Sequence, residues 1–516
     1  MTRGPLRPLL LALLTIGAAA LALPPSGRAA GISAGAPAAG EAPPEAAGPS
    51  GASGDTGEEH SDEGAKHGAG DPHSSRLSDE LIPLQIEGFP ERPPYLLELG
   101  NPYLGTGRIK RGIQLPTGAV WQPSLIAFGN LRTAVQTFDD DGRRVTEIAT
   151  RLDLFANLQL SGTKRLVVGF RNFDRDGRFT SYILDPDPDD PEFRARFGDD
   201  DRFREELNAE IQSLFFEGDF GEIFPNLDKE DFGRTDVGFS IGRQPLQFQE
   251  GILIEDSLDG LGITRNTLLP SGTSNFRATL FLAVDDVHRA NVEDESAELL
   301  GLLTSTDFRR STVDADLVWV RADDLTGDQA NLGVSAVQRI GHLNTGFRVL
   351  GSWALDRETP WSTNGALLFS EISWTPRRTH DLAYVNTFVA IEEFSSAARG
   401  PSTGGPLGRA GISFAAVGLG SYGAPLVSRA RDVAGGAVGY QKFFGKLARR
   451  QLLAEVGVRV GLDDRVGDDA AATVRYQAAY GRRLVLVFDA FASSVERFGG
   501  DRARRLGGRF EVLVKF

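Results

Sequence analysis

The sequence predicts an all-β fold, a single transmembrane antiparallel β-barrel of about 18 strands, or about 16 on a stricter count, preceded by a disordered N-terminal linker. Three observations lead there. From Trp121 onward, apolar and polar residues alternate with a period of two. The connections alternate between tight turns and longer loops. Beyond residue 29, no apolar run approaches the ~18 residues that a membrane helix needs. Backbone polar groups find no water in a bilayer core, so a crossing by strands requires a closed sheet.

The first segment, residues 1–29, reads as a signal peptide. Arg3 and Arg7 precede an apolar stretch from Leu9 to Leu23, and a cut after Ala29 puts Gly27 and Ala29 at the small positions. Residues 30–75 are a low-complexity linker of Ala, Gly, Pro, Ser and Glu that cannot build a core. Its His60, His67 and His73 stand among carboxylates, either as loose divalent-metal ligands or as part of a solvated spacer. Residues 76–120 mix apolar residues with many Gly and Pro and predict an irregular periplasmic or luminal segment. Residues 121–516 are the barrel.

Composition bounds the chemistry. The chain has 516 residues, no cysteine and a net charge of −15. Disulfides and thiolate metal sites are therefore out, and a nucleic-acid partner, which needs a basic face, is not expected.

Within the barrel, "EIATRLDLFANLQL" is the clearest strand. Ile148, Leu152, Leu154, Ala156, Leu158 and Leu160 share one face, and Arg151, Asp153, Asn157 and Gln159 the other. "FRATLFLA" repeats it, with Phe276, Ala278, Leu280 and Leu282 against Arg277 and Thr279. Strands are expected at 121–138, 145–161, 164–183, 206–217, 236–247, 260–269, 275–285, 298–308, 311–322, 329–340, 345–355, 366–375, 381–392, 436–444, 451–462, 471–480, 483–493 and 505–516. Even-numbered connections such as "SGTK", "RRS" and "GHLN" are tight; odd-numbered ones such as "DDDGRR", "VHRANVEDES" and Glu393–Gly435 run longer. "GDFGEIFPNLDKED" breaks the rule. This parity is that of periplasmic turns and extracellular loops in an outer-membrane barrel. Trp319 and Trp353 fall at outer strand ends, and Trp374, Tyr480 and Phe516 at inner ends, as two interfacial girdles require.

Two stretches carry resemblances. The chain ends "GRFEVLVKF", with Phe510, Val512, Val514 and Phe516 at alternate positions. This resembles the C-terminal signature of bacterial outer-membrane proteins, which implies the barrel-assembly machinery as a partner. "VGFSIGRQPLQFQEGILIEDSLDGLGITRN" resembles the paired strands of porin-like barrels, including the alginate-export type. The match lies in Gly242, Arg243 and Gln244, then a loop, then Asp259, Gly260 and Leu261.

The implied function is a porin-like channel for passive transport of a hydrophilic solute or oligomer across the outer membrane, with lipid and lipopolysaccharide outside. The alternative is a plugged barrel that anchors a periplasmic or surface partner. Inward-facing candidates are Arg132, Arg151, Arg171, Arg277, Arg348, Arg459 and Arg475, with Asp153, Glu371, Glu455, Asp489 and Glu511. These charges are mixed, whereas a polyanion exporter is expected to have a strongly basic lumen. The Glu393–Gly435 loop either folds inward to narrow the channel or stays on the surface. The acidic stretch with Asp185, Asp187, Asp189, Asp190, Asp199, Asp200 and Asp201 is a weak Ca²⁺ candidate or a plain solvated loop. No other cofactor is expected. There is no G-x-S-x-G elbow, H-E-x-x-H or phosphate loop, so no enzyme is expected.

Overall fold

The structure, a computed structural model, describes residues 95–101 and 112–516, apart from 176, 185–201, 228–232, 234, 290–291, 295, 324, 446 and 498–499. The expected signal peptide, the 30–75 linker, most of 76–120 and the acidic stretch from Asp185 to Asp201 lie outside the described residues.

The wall consists of β1 (Ser124–Asp140), β2 (Arg143–Gln159), β3 (Arg165–Arg171), β4 (Ile211–Asp219), β5 (Val237–Phe248), β6 (Ile254–Leu268), β7 (Asn275–Val284), β8 (Glu298–Asp307) and β9 (Ser311–Arg321). It continues with β10 (Gln329–Ile340), β11 (Leu343–Ala354), β12 (Gly365–Trp374), β13 (Leu382–Phe394), β14 (Ala430–Phe444), β15 (Arg450–Gly461), β16 (Asp469–Tyr480), β17 (Leu484–Glu496) and β18 (Arg502–Lys515). Each pairs antiparallel with the next, and β18 returns to β1 from Arg505↔Asp140 to Lys515↔Asn130, closing an 18-strand barrel. Closure pairs each of the 18 wall strands on both sides. At the foot of the seam, Leu97–Leu99 pairs with Leu125–Ala127.

Alternation sorts the two faces. Leu300, Leu302, Leu317, Trp319, Val349, Val456 and Phe488 are exposed on the outer surface. Their strand neighbours Leu299, Val318, Leu350, Asp489 and Glu455 are buried. Loop parity holds apart from the first connection. One rim carries the short turns, interrupted by the helical turn Phe220–Ile223 and the 3-10 turn Pro225–Leu227 in the one long even connection. The other rim carries the longer loops.

Four details depart from the sequence reading. The "DDDGRR" connection is a tight turn, with only Asp141 and Gly142 between β1 and β2. The third expected strand is split: Arg165–Arg171 pairs with the lower part of β2, the chain makes an excursion, and Arg178–Ile183 resumes pairing higher up, at Thr150 to Glu147. β6 starts at Ile254, so Asp259 lies within a strand and opposite Arg243. Both project outward, where Arg243 Nη1 meets Asp259 Oδ2 at 3.2 Å and Asp286 Oδ2 at 2.5 Å. Gly242 makes the β4–β5 approach there, with a positive φ of 116° and a virtual Cβ 2.2 Å from the Leu214 carbonyl oxygen.

The fourth departure matters most. The interior is not polar all round. Leu299, Val318, Val320, Leu350, Leu367 and Phe388 point inward and join Ile252, Leu253, Leu407 and Phe414 from two loops in one buried apolar cluster. The loops fold into the barrel, and their apolar side chains need an apolar wall to leave water. A period of two reports which face a residue occupies and not whether that face is wet.

Candidate functional site

The site is the constriction that these two loops build. The first is Gln249–Leu253, between β5 and β6; the second is 395–429, between β13 and β14. The surface alternative for the second loop is thus replaced by an inward fold.

The loops are joined to each other before they reach the wall. Ala398 and Arg399 pair in parallel with Ile254 and Glu255. Ala397 N donates to Leu253 O at 2.9 Å. Arg399 Nη1 donates to Glu255 Oε2 at 3.1 Å, and its other amino group reaches the Gly251 carbonyl oxygen. Arg289, fully buried in the loop after β7, donates to Ala397 O at 3.0 Å and to Gln329. Gln329 and Asn331 in turn donate to Ser395 O at 3.0 and 2.8 Å. A buried guanidinium needs such acceptors, because stripping it of water costs several kcal/mol.

Further along, the second loop is tied to β13, β15 and β16. Asn386 Nδ2 donates to Ala410 O at 3.0 Å. Glu455 accepts from the backbone N–H groups of Ile412 and Ser413, at 3.0 and 2.7 Å, and from the Tyr384 hydroxyl. Ser413 also bonds Thr473. The loop then reaches β1 and β2. Arg132 Nη2 donates to Val417 O at 3.2 Å, Arg151 Nη1 to Gly418 O at 3.3 Å, and Gln136 Nε2 to Leu419 O at 3.0 Å. Glu147 accepts from Ser421 N. Tyr422 follows, edge-on to Phe491 with ring centres 5.6 Å apart and beneath the Arg509 guanidinium. Its buried hydroxyl has no hydrogen-bond partner among the described residues, and burial raises its pKa well above the usual tyrosine range.

The sequence candidates assemble into three groups around this crossing. Arg475, Asp489, Glu511 and Arg132 form one chain of ion pairs on adjacent strands, which the structure completes with Arg509, with contacts of 2.6 Å for Arg475–Asp489 and 2.7 Å for Arg132–Glu511. Arg151, Asp153 and Arg171 form the next, with Asp153 accepting from both arginines at 3.0 and 3.1 Å; Asp174 extends it. Arg151 stands directly across from Arg132 in the β1–β2 register. The third group is Arg348 with Glu371, which the structure completes with Arg409 and Glu250. Arg409 Nε donates to Glu371 Oε1 at 3.0 Å, and Arg409 Nη2 lies 3.2 Å from Glu250 Oε2. Arg459 is set apart, paired with Asp469 at 3.0 Å. Arg277 is also apart and has no ion pair or hydrogen bond among the described residues.

Sequence reasoning missed Glu250, Arg409, Gln136, Glu147 and Arg399. Gln136 and Glu147 continue the inward faces of Arg132 and of Arg151 and Asp153 and were readable there, whereas Glu250, Arg399 and Arg409 sit in loops whose direction periodicity does not encode. Mixed charges at 2.6–3.3 Å form a strongly dipolar wall, balanced in the second and third groups and with one excess arginine in the first. Between the first loop and the second lies a cavity of about 190 Å³ that includes Glu250, Glu255, Arg399 and Arg409. Below the first loop, toward the short-turn rim, a larger cavity of about 570 Å³ opens.

No protein-family model matches the chain, and no curated protein matches it. Among solved structures it is similar to Pseudomonas aeruginosa OccK11 (OpdR), at 11% identity and a TM-score of 0.48, over 76% of this chain and 96% of that one. It is similar to Pseudomonas aeruginosa OpdK with vanillate at 13% identity and a TM-score of 0.49, over 76% and 98%. Acinetobacter baumannii OccAB4 gives 10% identity and a TM-score of 0.48, over 78% and 100%. Likeness at this level assigns neither family nor solute. None of the three is an alginate exporter by its description, so the alginate-export resemblance of residues 237–266 gains no support from them.

Proposed function

We infer that the protein is a porin-like channel of the outer membrane that passes a small hydrophilic solute by diffusion. The observation that carries this reading is the constriction itself: a charged crossing of fixed geometry inside a closed barrel clad in exposed Leu, Val, Trp and Phe. Such an exterior suits lipid, and a charged waist selects by size and field. The short-turn rim then faces the periplasm, together with the N-terminal linker, and lipopolysaccharide surrounds the long-loop rim. Barrel-assembly machinery reading Phe510, Val512, Val514 and Phe516 belongs to the same reading. Two loops spanning the lumen favour a small solute over an oligomer.

Planar-bilayer recording of the purified protein tests the channel. Discrete conductance steps are expected; a folded barrel that gives none rejects it.

The apolar cluster inside the barrel supports a second reading, a plugged scaffold that anchors a partner. Deletion of residues 30–120 separates the two. A plug formed by that segment predicts raised conductance, and the channel reading predicts unchanged conductance.

A further inference from the structure

The larger cavity, about 570 Å³ below the Gln249–Leu253 loop, carries a substrate assignment that the constriction does not. Its wall recedes because small residues face it from adjacent strands: Gly238 and Ser240 on β5, Gly262 and Thr264 on β6, Ser305 on β8. Its roof is Gln249, whose Nε2 donates to Asp316 at 2.6 Å.

Three charged groups in this wall, Arg277, Asp314 and Asp316, stand apart from the ion-pair networks among the described residues. Arg277, on β7, is exposed to the cavity and has no ion pair or hydrogen bond among the described residues. Among the described residues Asp314, on β9, has no cationic partner and accepts one contact, from Ser335 Oγ at 3.2 Å. The register explains why they do not pair. Arg277 is opposite Ser305, and Ser305 is opposite Asp314, so one strand separates them. Strand spacing puts their backbones about 10 Å apart. Ser305 floors the gap between them, and Asp316 is the carboxylate whose charge Arg277 feels from the side. The other arginine lining the cavity, Arg348, is neutralised by Glu371 and Glu250.

We propose that this vestibule is a binding subsite for a small dipolar ion, an α-amino-acid-like solute whose carboxylate lies on Arg277 and whose ammonium lies on Asp314. An anion gains Arg277 but meets the carboxylates of Asp314 and Asp316; a cation gains these but meets Arg277. A solute carrying both charges satisfies both ends, and complementarity of that kind sets specificity. Charge-assisted contacts at each end are the strong ones available here. This assignment rests on the channel reading and names the solute class for it.

The test is single-channel recording with the full chain in planar bilayers. Glutamine, glucose, lactate and putrescine are titrated separately from the short-turn side. Glutamine is expected to block the current saturably and at the lowest concentration of the four. Arg277→Gln and Asp314→Asn are each expected to raise its half-blocking concentration about ten-fold, the loss of one charge-assisted contact. Arg277→Lys keeps most of the block. Absence of any conductance step sinks the channel reading. Steps in which glucose, lactate or putrescine blocks as well as glutamine, or in which the variants leave the block unchanged, sink the subsite and leave the channel standing. Where a variant fails to fold, the ranking of the four solutes on the unsubstituted protein decides.

Discussion

Gly129 and Phe516 exchange both backbone hydrogen bonds across the barrel seam: Gly129 N donates to Phe516 O at 2.7 Å, and Phe516 N to Gly129 O at 3.0 Å. The terminal residue is thus the last rung of closure. A Cβ at residue 129 would stand 2.5 Å from the Asp153 carbonyl oxygen and 3.0 Å from the Phe516 ring, so this rung needs glycine on one side.

Seam variants follow from that pair. Removing Phe516 deletes two backbone bonds and is expected to cost about 2 kcal/mol. Gly129→Val is expected to be worse, because the branched side chain meets backbone. Urea unfolding in liposomes, followed by heat-modifiable gel migration, measures both. Unchanged midpoints would show that the seam closes without this rung.

The second prediction concerns Glu455. Its carboxylate caps two backbone N–H groups of the inward loop. Glu455→Ala leaves both buried donors unmatched, at about 1–3 kcal/mol each. The loop is expected to loosen, and single-channel noise to rise, with barrel unfolding less affected. Quiet currents from the variant would count against the role of this anchor.

Gly420 offers a sharper probe of the same loop. Its φ is +62°, and a Cβ would lie 2.3 Å from Gln136 Nε2 and 2.5 Å from Glu147 Oε1. Gly420→Val is therefore expected to displace the loop tip from β1 and β2, where the backbone conformation alone costs a β-branched residue ~1–3 kcal/mol. The expected readout is faster cleavage within 395–429 by protease, compared with the parent protein.

Charge at the waist is tested at Arg409. It contacts Glu371 and Glu250 from the loop side. Arg409→Ala removes a positive charge and a long side chain together, so conductance is expected to rise and the ion preference to shift toward cations. Reversal potentials in a salt gradient measure this. A shift toward anions would contradict the placement of Arg409 at the waist.

Much of the wall is legible in the sequence. Period-two runs place Arg151 and Asp153 opposite Leu152 and Leu154, and the strand from 298 to 307 is found to within a residue. The physical reason is simple: a sheet alternates its faces strictly, so composition reports orientation. Loop direction has no such rule. Nothing in Gly405 to Ser421 says that the chain crosses the barrel, because many of its anchors are backbone groups and some partners lie hundreds of residues away, as with Gln136 and Leu419. The candidate site was therefore half readable. Its wall charges were visible, while Glu250 and Arg409 were not.

The grip of Arg132, Arg151 and Gln136 on the 417–419 carbonyl oxygens has a consequence for divergence. Every amino acid presents the same carbonyl, so substitutions along that stretch leave the handhold intact wherever they fit. Relatives of this chain can therefore exchange the side chains that greet a passing molecule without redesigning the staves around them.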